Sequence, residues 1–255
     1  SGGAKNSVLA ISCTRSGVVS ATAHPNVAAV ADLLSLHPAQ AFAASRASGV
    51  VMIEATLGLG MAAPTLAPRL LDVIDLDILP LTERGVADGN KIFGAALLRK
   101  SDLSLVLAGT NDETENPLLH GEINTLNRFY ELPERPSTRD VLFLSTHEPC
   151  PLCLSAITWA GFDNFYYFFS YQDSRDAFAI PHDLKILKEV FGVDDGDYRR
   201  SNSFWTAYSI PELVESEPEL QRTDLRQQQE RIRARYAALS AQYQDSKGDN
   251  DIPLS

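Results

Sequence analysis

The chain has 255 residues, 44% hydrophobic and 22% charged, with a formal net charge of -11 and a sequence pI near 4.9. That is an ordinary globular composition, and its acidic balance disfavours steering towards a phosphate backbone, so the expected partner is a small molecule and not nucleic acid. No apolar run approaches the roughly 18 to 20 residues of a membrane span, and the three cysteines, Cys13, Cys150 and Cys153, cannot form a disulfide framework, which suits a reducing, cytoplasmic setting.

The first segment, "SGGAKNSVLAIS", holds one lysine and a short apolar run, too little for a secretory signal. Residues 1–68 contain five charged side chains (Lys5, Arg15, Asp32, Arg46, Glu54) and are rich in alanine, whereas residues 212–255 contain fifteen. This contrast predicts an N-terminal extension of unknown role over 1–68, a compact domain over 69–200 and a C-terminal extension over 201–255. Cys13 reads as a small buried hydrophobe.

Leu71, Ile74, Ile78 and Leu81 keep helical spacing, with Pro80 expected to end or kink that helix. Strand-length apolar runs follow: "KIFGAALL" (91–98), "LSLVLAG" (103–109), "DVLFLST" (140–146) and "NFYYFFS" (164–170). The first two, joined by "RKSD", have the option of a hairpin. Helical patterns separate the others, over "GEINTLNRFYEL", "LCLSAITWAGF" and, started by His182 and Asp183, "DLKILKEVF". Strands alternating with helices predict an α/β layered fold with a partly parallel sheet. In the tail, Leu225, Ile232, Tyr236, Leu239 and Tyr243 form one stripe of a long amphipathic helix. Its five arginines between Arg222 and Arg235 alternate with acids, the pattern of a solvated face.

Two short stretches carry the chemistry. "LHGEINTL" places His120 and Glu122 two positions apart at a helix start, and thirty residues after His120, "STHEPCPLCLSAITWAGF" opens a helix with Pro149, Cys150, Pro151 and Cys153. Pro151 stands where proline is tolerated, and thiols at a helix N-terminus gain acidity from the dipole. One imidazole and two thiolates give three protein ligands for zinc and leave a fourth position for water, which such a metal makes acidic near neutral pH. Glu122 is then free to carry protons. A redox pair is the competing reading of Cys-x-x-C, disfavoured by His120 and Pro149. His147 reads as a loop histidine, and Trp159 and "FYYFF" as core.

The pattern H-x-E followed by P-C-x-x-C is the signature of zinc deaminases. The chain resembles the cytidine deaminase-like superfamily, in the branch of cytosine, guanine and tRNA adenosine deaminases, over residues from about 69 to about 195. "HGEINTL" is most similar to fungal-type cytosine deaminases, and "EPCPLCLSAITWA" to bacterial guanine deaminases. The resemblance implies a three-layer α/β/α sandwich, usually dimeric. It implies one zinc per chain on His120, Cys150 and Cys153, with Glu122 as catalytic acid and base. For substrate contacts it implies Asn111, with Asn116 as competitor, and Asp183, with Asp173 and Asp176 as competitors; the backbone N–H groups of Gly121 and Cys150, at helix starts, are further candidates to hold a substrate carbonyl or ring nitrogen. Phe204 and Trp205 are candidates to close the pocket. The expected activity is hydrolytic deamination of a nucleobase or nucleoside, a guanine-type purine ahead of cytosine. The alternatives are a tRNA adenosine deaminase, or an inactive deaminase-fold protein whose zinc is structural and which works as a binding or oligomerisation module; Glu122, which no structural site needs, argues against the second.

Overall fold

A computed structural model describes residues 65–254 and, before them, only the backbone of four strands. The chain divides into two compact units, Ser1–Ala63 and Pro64–Ser255. In the first, β1 (Ala10–Cys13), β2 (Val19–Ala23), β3 (Phe42–Ala47) and β4 (Val50–Ala55) form an antiparallel sheet in the order β1-β2-β4-β3. The side chain of Cys13 lies outside the described residues, as does most of the alanine-rich segment.

The second unit is built on a five-stranded sheet. Its strands are β5 (Gly94–Arg99), β6 (Leu105–Thr110), β7 (Val141–His147), β8 (Asn164–Phe169) and β9 (Thr206–Ser209), in the order β6-β5-β7-β8-β9. β5 pairs antiparallel with both β6 and β7, so "RKSD" does join a hairpin, while β7, β8 and β9 run parallel. The four-residue β9 is too short for alternation to show in the sequence.

Strand periodicity divides the interior into two cores. On one face Ala96, Leu98, Leu142, Leu144 and Phe168 pack against Leu70, Ile74, Ile78, Ile232 and Tyr236. On the other, Ala95, Leu97, Val141, Phe143 and Phe165 meet Leu126, Phe129 and Ile157. The result is an α/β/α sandwich. Each large apolar side chain buried in these layers stabilises by about 1.5–3 kcal/mol, and truncating a fully buried one such as Phe143 to alanine would cost about 3–5 kcal/mol.

The helix before β5 continues through Pro80. It runs as α1 (Leu66–Asp72), a π-helical stretch (Val73–Ile78) and α2 (Leu79–Ala87). Proline has no N–H and collides with the carbonyl four residues back. The wider π turn just before it changes the hydrogen-bond register and lets the helix continue past Pro80. After β6 come α3 (Gly121–Glu131), α4 (Pro151–Trp159), α5 (Tyr171–Asp176), α6 (His182–Phe191), α7 (Ile210–Ser216) and α8 (Glu219–Ser246). All five residues of the α8 stripe are buried in the first core. Its flank is tied down by Arg235 to Asp75 at 2.7 Å and by Gln228 to Asp72 at 2.9 Å. Among the described residues, no helix is long and apolar enough to cross a membrane.

Candidate active site

The start of α3 packs directly on β5. A Cβ at Gly121 would lie 2.8 Å from the Gly94 Cα and 2.9 Å from the Phe93 carbonyl, so only glycine fits between His120 and Glu122. His120 stands at the N-cap of α3 with extended ψ, Glu122 in its first turn. Cys150 is the N-cap of α4 and Pro151 its first residue, which places Cys153 one turn further along, facing the same space.

The chain brings these side chains together. His120 Nδ1 lies 3.4 Å from Cys150 Sγ and 3.7 Å from Cys153 Sγ, and the sulfurs are 3.5 Å apart. Bond lengths of about 2.0–2.3 Å to a tetrahedral zinc imply ligand-to-ligand edges of roughly 3.5–3.8 Å, so the three atoms form one face of the required size. The donor set, one half-buried imidazole and two buried thiols, is compatible with zinc.

Charge in the site favours a cation. Burial opposes protonation of His120, but Cys150, hydrogen-bonded and negative, with Glu122 and Glu113, raises it to about 9. Cys150 is the more acidic thiol, because its hydrogen bond with Cys153 and the facing His120 outweigh burial; burial and the nearby Cys150 and Glu122 hold the proton on Cys153. Burial, aided by Cys150, raises the Glu122 carboxyl above its ordinary range, with Ser145 and His120 pulling the other way.

Glu122 Oε2 is 3.3 Å from Cys153 Sγ, and Ser145 Oγ lies 2.7 Å from Glu122 Oε1 and 2.6 Å from the His147 carbonyl. One hydroxyl has one proton. Turned to Glu122 it donates to the carboxylate; turned to the carbonyl, it accepts from a protonated Glu122. Ser145 therefore serves both protonation states without moving its oxygen.

The expected substrate contacts fare differently. Asn111 and Gly121 are bonded to each other, Gly121 N–H to Asn111 Oδ1, and Asn111 Nδ2 donates to Glu113 Oε2 at 2.6 Å. Asn116 caps its own loop, accepting from Leu118 N at 3.0 Å. Asp183, in the first turn of α6, is partly exposed; burial raises its carboxyl well above the ordinary range, and the charges acting on it include Cys150, His120 and Glu122. Asp173 closes the capping box of α5, and Asp176 pairs with Arg175 on the surface. Trp205 is not brought to the site. Its Nε1 donates to Thr158 Oγ1 at 2.7 Å and its ring packs on Phe165, at the far end of α4 from Cys150, while Phe204 is exposed.

His147 is the last residue of β7 and not a loop residue. It is fully enclosed by Phe93, Phe169, Phe178 and Tyr236, with Nδ1 2.9 Å from Thr146 Oγ1. Sequence reasoning did not anticipate the side chains behind the motifs. Buried Glu148 accepts from Tyr198 Oη at 2.8 Å, Arg200 Nη2 at 3.0 Å and Tyr171 N at 3.2 Å, fixing the turn into Pro149 and Cys150. Glu113 pairs with Lys91 at 2.8 Å behind His120. Glu113 is one of three acids in "NDETEN", and nothing in that stretch distinguishes it.

Residues 78–169 match the cytidine and deoxycytidylate deaminase zinc-binding region. The guanine deaminase of Bacillus subtilis (strain 168) is 28% identical over 87 residues, 33% of this chain and 54% of the relative, so the chain spans about half the length of the curated relative it matches. Two solved structures are also similar. A mutant protein in complex with 8-azaguanine shares 17% identity over 69% of this chain and 84% of its own, with a TM-score of 0.45. The Bacillus subtilis guanine deaminase structure shares 24% identity over 49% and 76%, with a TM-score of 0.38. The matched region contains both motif stretches, each opening a helix against the same sheet, so it is over residues 78–169 that the chain is similar to the zinc-binding region of cytidine and deoxycytidylate deaminases.

Proposed function

We propose that the chain hydrolytically removes an exocyclic amine from a small amino-heterocycle, a guanine-type purine ahead of cytosine, with one zinc ion on His120, Cys150 and Cys153. The observation that carries this reading is a fourth group: buried Glu122 lies beside the three candidate ligand atoms and is held by its own hydrogen bond from Ser145. A purely structural zinc would have no use for it. Zinc, when bound, supplies a Lewis acid that lowers the pKa of water to about 7. Glu122 would take one proton from the attacking water and pass it to a ring nitrogen, then take the second from the hydroxyl so added and pass it to the departing amine, which leaves as ammonia. Its raised pKa suits both roles, since a carboxyl titrating closer to neutrality both accepts and donates readily.

Asp183 is the side chain proposed to read the heterocycle. It stands in the first turn of α6, which packs against α4, and its carboxyl would pair with the polar edge of a guanine-type ring. Asn111 and Gly121 contact the ring if it displaces the bond between them. The guanine preference is supported by the similarity to a guanine deaminase. The acidic net charge supports a free heterocycle over a tRNA. Trp159 is not core as its sequence suggested but 91% exposed on α4; a homodimer, implied by family resemblance, would give it a partner, and light scattering reads the mass.

The test is ammonia release by the zinc-loaded full chain across nucleobases, nucleosides, pterins and amino-triazines. The expected result is one zinc per chain, lost in Cys150→Ser, and turnover fastest on a purine carrying an exocyclic amine. A zinc-loaded chain that releases no ammonia from any of them would make the protein a scaffold.

A further inference from the structure

Glu113 is a buried carboxylate behind His120. It lies in the loop between β6 and α3, its side chain is 1% exposed, and no covalent or periodic reason places a carboxylate there. Three groups converge on it. Lys91 Nζ, on a buried side chain, approaches Oε1 at 2.8 Å; Asn111 Nδ2 donates to Oε2 at 2.6 Å; and His120 Nε2 faces Oε1 at 3.7 Å. The loop is anchored from the other side by Thr114 N–H, which donates to Asn90 Oδ1 at 2.9 Å. Asn111 passes the connection on, since its Oδ1 accepts the Gly121 N–H that begins α3.

A neutral imidazole has one N–H and one lone pair. The nitrogen facing the two sulfurs is Nδ1, so a metal ligand at His120 needs its proton on Nε2. The group facing Nε2 is the Glu113 carboxylate. At 3.7 Å the contact is electrostatic and longer than a hydrogen bond, but it favours the N–H on that side. Lys91 keeps the buried carboxylate from being an isolated charge.

We propose that Glu113, fixed by Lys91 and Asn111, is a positioning residue for His120: it selects the Nε2–H tautomer and turns the Nδ1 lone pair towards Cys150 and Cys153. This rests on the reading of His120 as a zinc ligand. The same network sets the start of α3 through Asn111, so the ring and Glu122 are aligned by one carboxylate. It is separate from the motif, which specifies the ligand and not its tautomer.

The experiment uses the full chain. Zinc affinity is measured by competition with a chromophoric chelator, and the His120 ring is read by nitrogen-15 NMR of zinc-loaded, histidine-labelled protein, for wild type, Glu113→Gln and the double variant Lys91→Met/Glu113→Gln. The double variant removes both charges together, so a folded chain remains if the single change orphans Lys91. The expected result is that wild type shows Nε2–H on His120 and both variants lose about 10- to 100-fold in zinc affinity, with the His120 signals shifted or broadened. Variants that fold, bind zinc as tightly as wild type and keep the same ring signature overturn this inference and leave the zinc site standing. A wild type that binds no zinc overturns both.

Discussion

The two ends of the five-stranded sheet treat charge in opposite ways. At the end where β7 finishes and α3 and α4 begin, Lys91, Glu113, Glu122 and Glu148 are each 5% exposed or less, and each has named partners. At the other end, where β5 finishes and β8 begins, Lys100 and Asp163 meet at 2.7 Å with about a third of each side chain in water. Bond lengths are similar at the two ends, but the solvent is not. A buried charge left without its partner costs several kcal/mol, whereas an exposed pair contributes little. Charge is therefore expected to be replaceable at one end of the sheet and not at the other.

The largest effect should come from Glu122→Gln. The amide is nearly the same size and can still bond to Ser145, so fold and zinc content should stay as in wild type. Ammonia release should fall about 100- to 10,000-fold, because proton transfer is lost in more than one step. The comparison breaks if turnover survives near the wild-type rate, for then a buried acid beside the candidate ligands would be a bystander.

Glu148→Gln sharpens the comparison by moving one step back from the chemistry. Burial raises the Glu148 carboxyl, while Tyr198, Arg200 and Tyr171 hold it as an acceptor. Arg200 is 41% exposed and can be rehydrated, so the expected loss is about 2–3 kcal/mol, the lower side of a broken buried pair. Urea unfolding of the full chain reads it as a lower midpoint with an unchanged slope. Unlike Glu122→Gln, this change should cost stability first. A stability within about 0.5 kcal/mol of wild type would mean that the turn into Cys150 is held by its backbone alone.

These differences track what could be read along the chain. His120, Glu122, Cys150 and Cys153 are named by spacing within two short stretches, and the four long strands by their apolar runs, because both signals are local. The supports are not local. Glu148 takes its partners from Tyr198 and Arg200, 50 and 52 residues later, and Glu113 from Lys91, 22 residues earlier. No periodicity marks such pairs. Trp205 misleads for a related reason: an aromatic after a polar loop suits a lid or a core equally, and only tertiary contact with Thr158 and Phe165 decides for the core. Pro80 stops a helix only if the ladder cannot adapt, and the π turn from Val73 to Ile78 adapts it.

The smallest effect belongs to the solvated end. Burial works against the charged form of Asp163, but Lys100 and the Asn164 side-chain amide outweigh it and hold the carboxyl below its ordinary value of 3.8. A depressed carboxylate pKa means that the folded state binds the proton less well than the unfolded one. The contribution is therefore present above the unfolded value and is lost as the pH falls below about 3.8. Its size is limited by water, since both side chains are about a third exposed. A double-mutant cycle of Lys100→Met and Asp163→Asn should give a coupling below about 1 kcal/mol near pH 7, shrinking in 1 M salt and vanishing in acid. Turnover and zinc content should be unchanged in all three variants. A coupling above about 2 kcal/mol, insensitive to salt, would show that this end of the sheet is as dry as the site, and the contrast between the two ends would then reflect which residues they carry and not how much water reaches them.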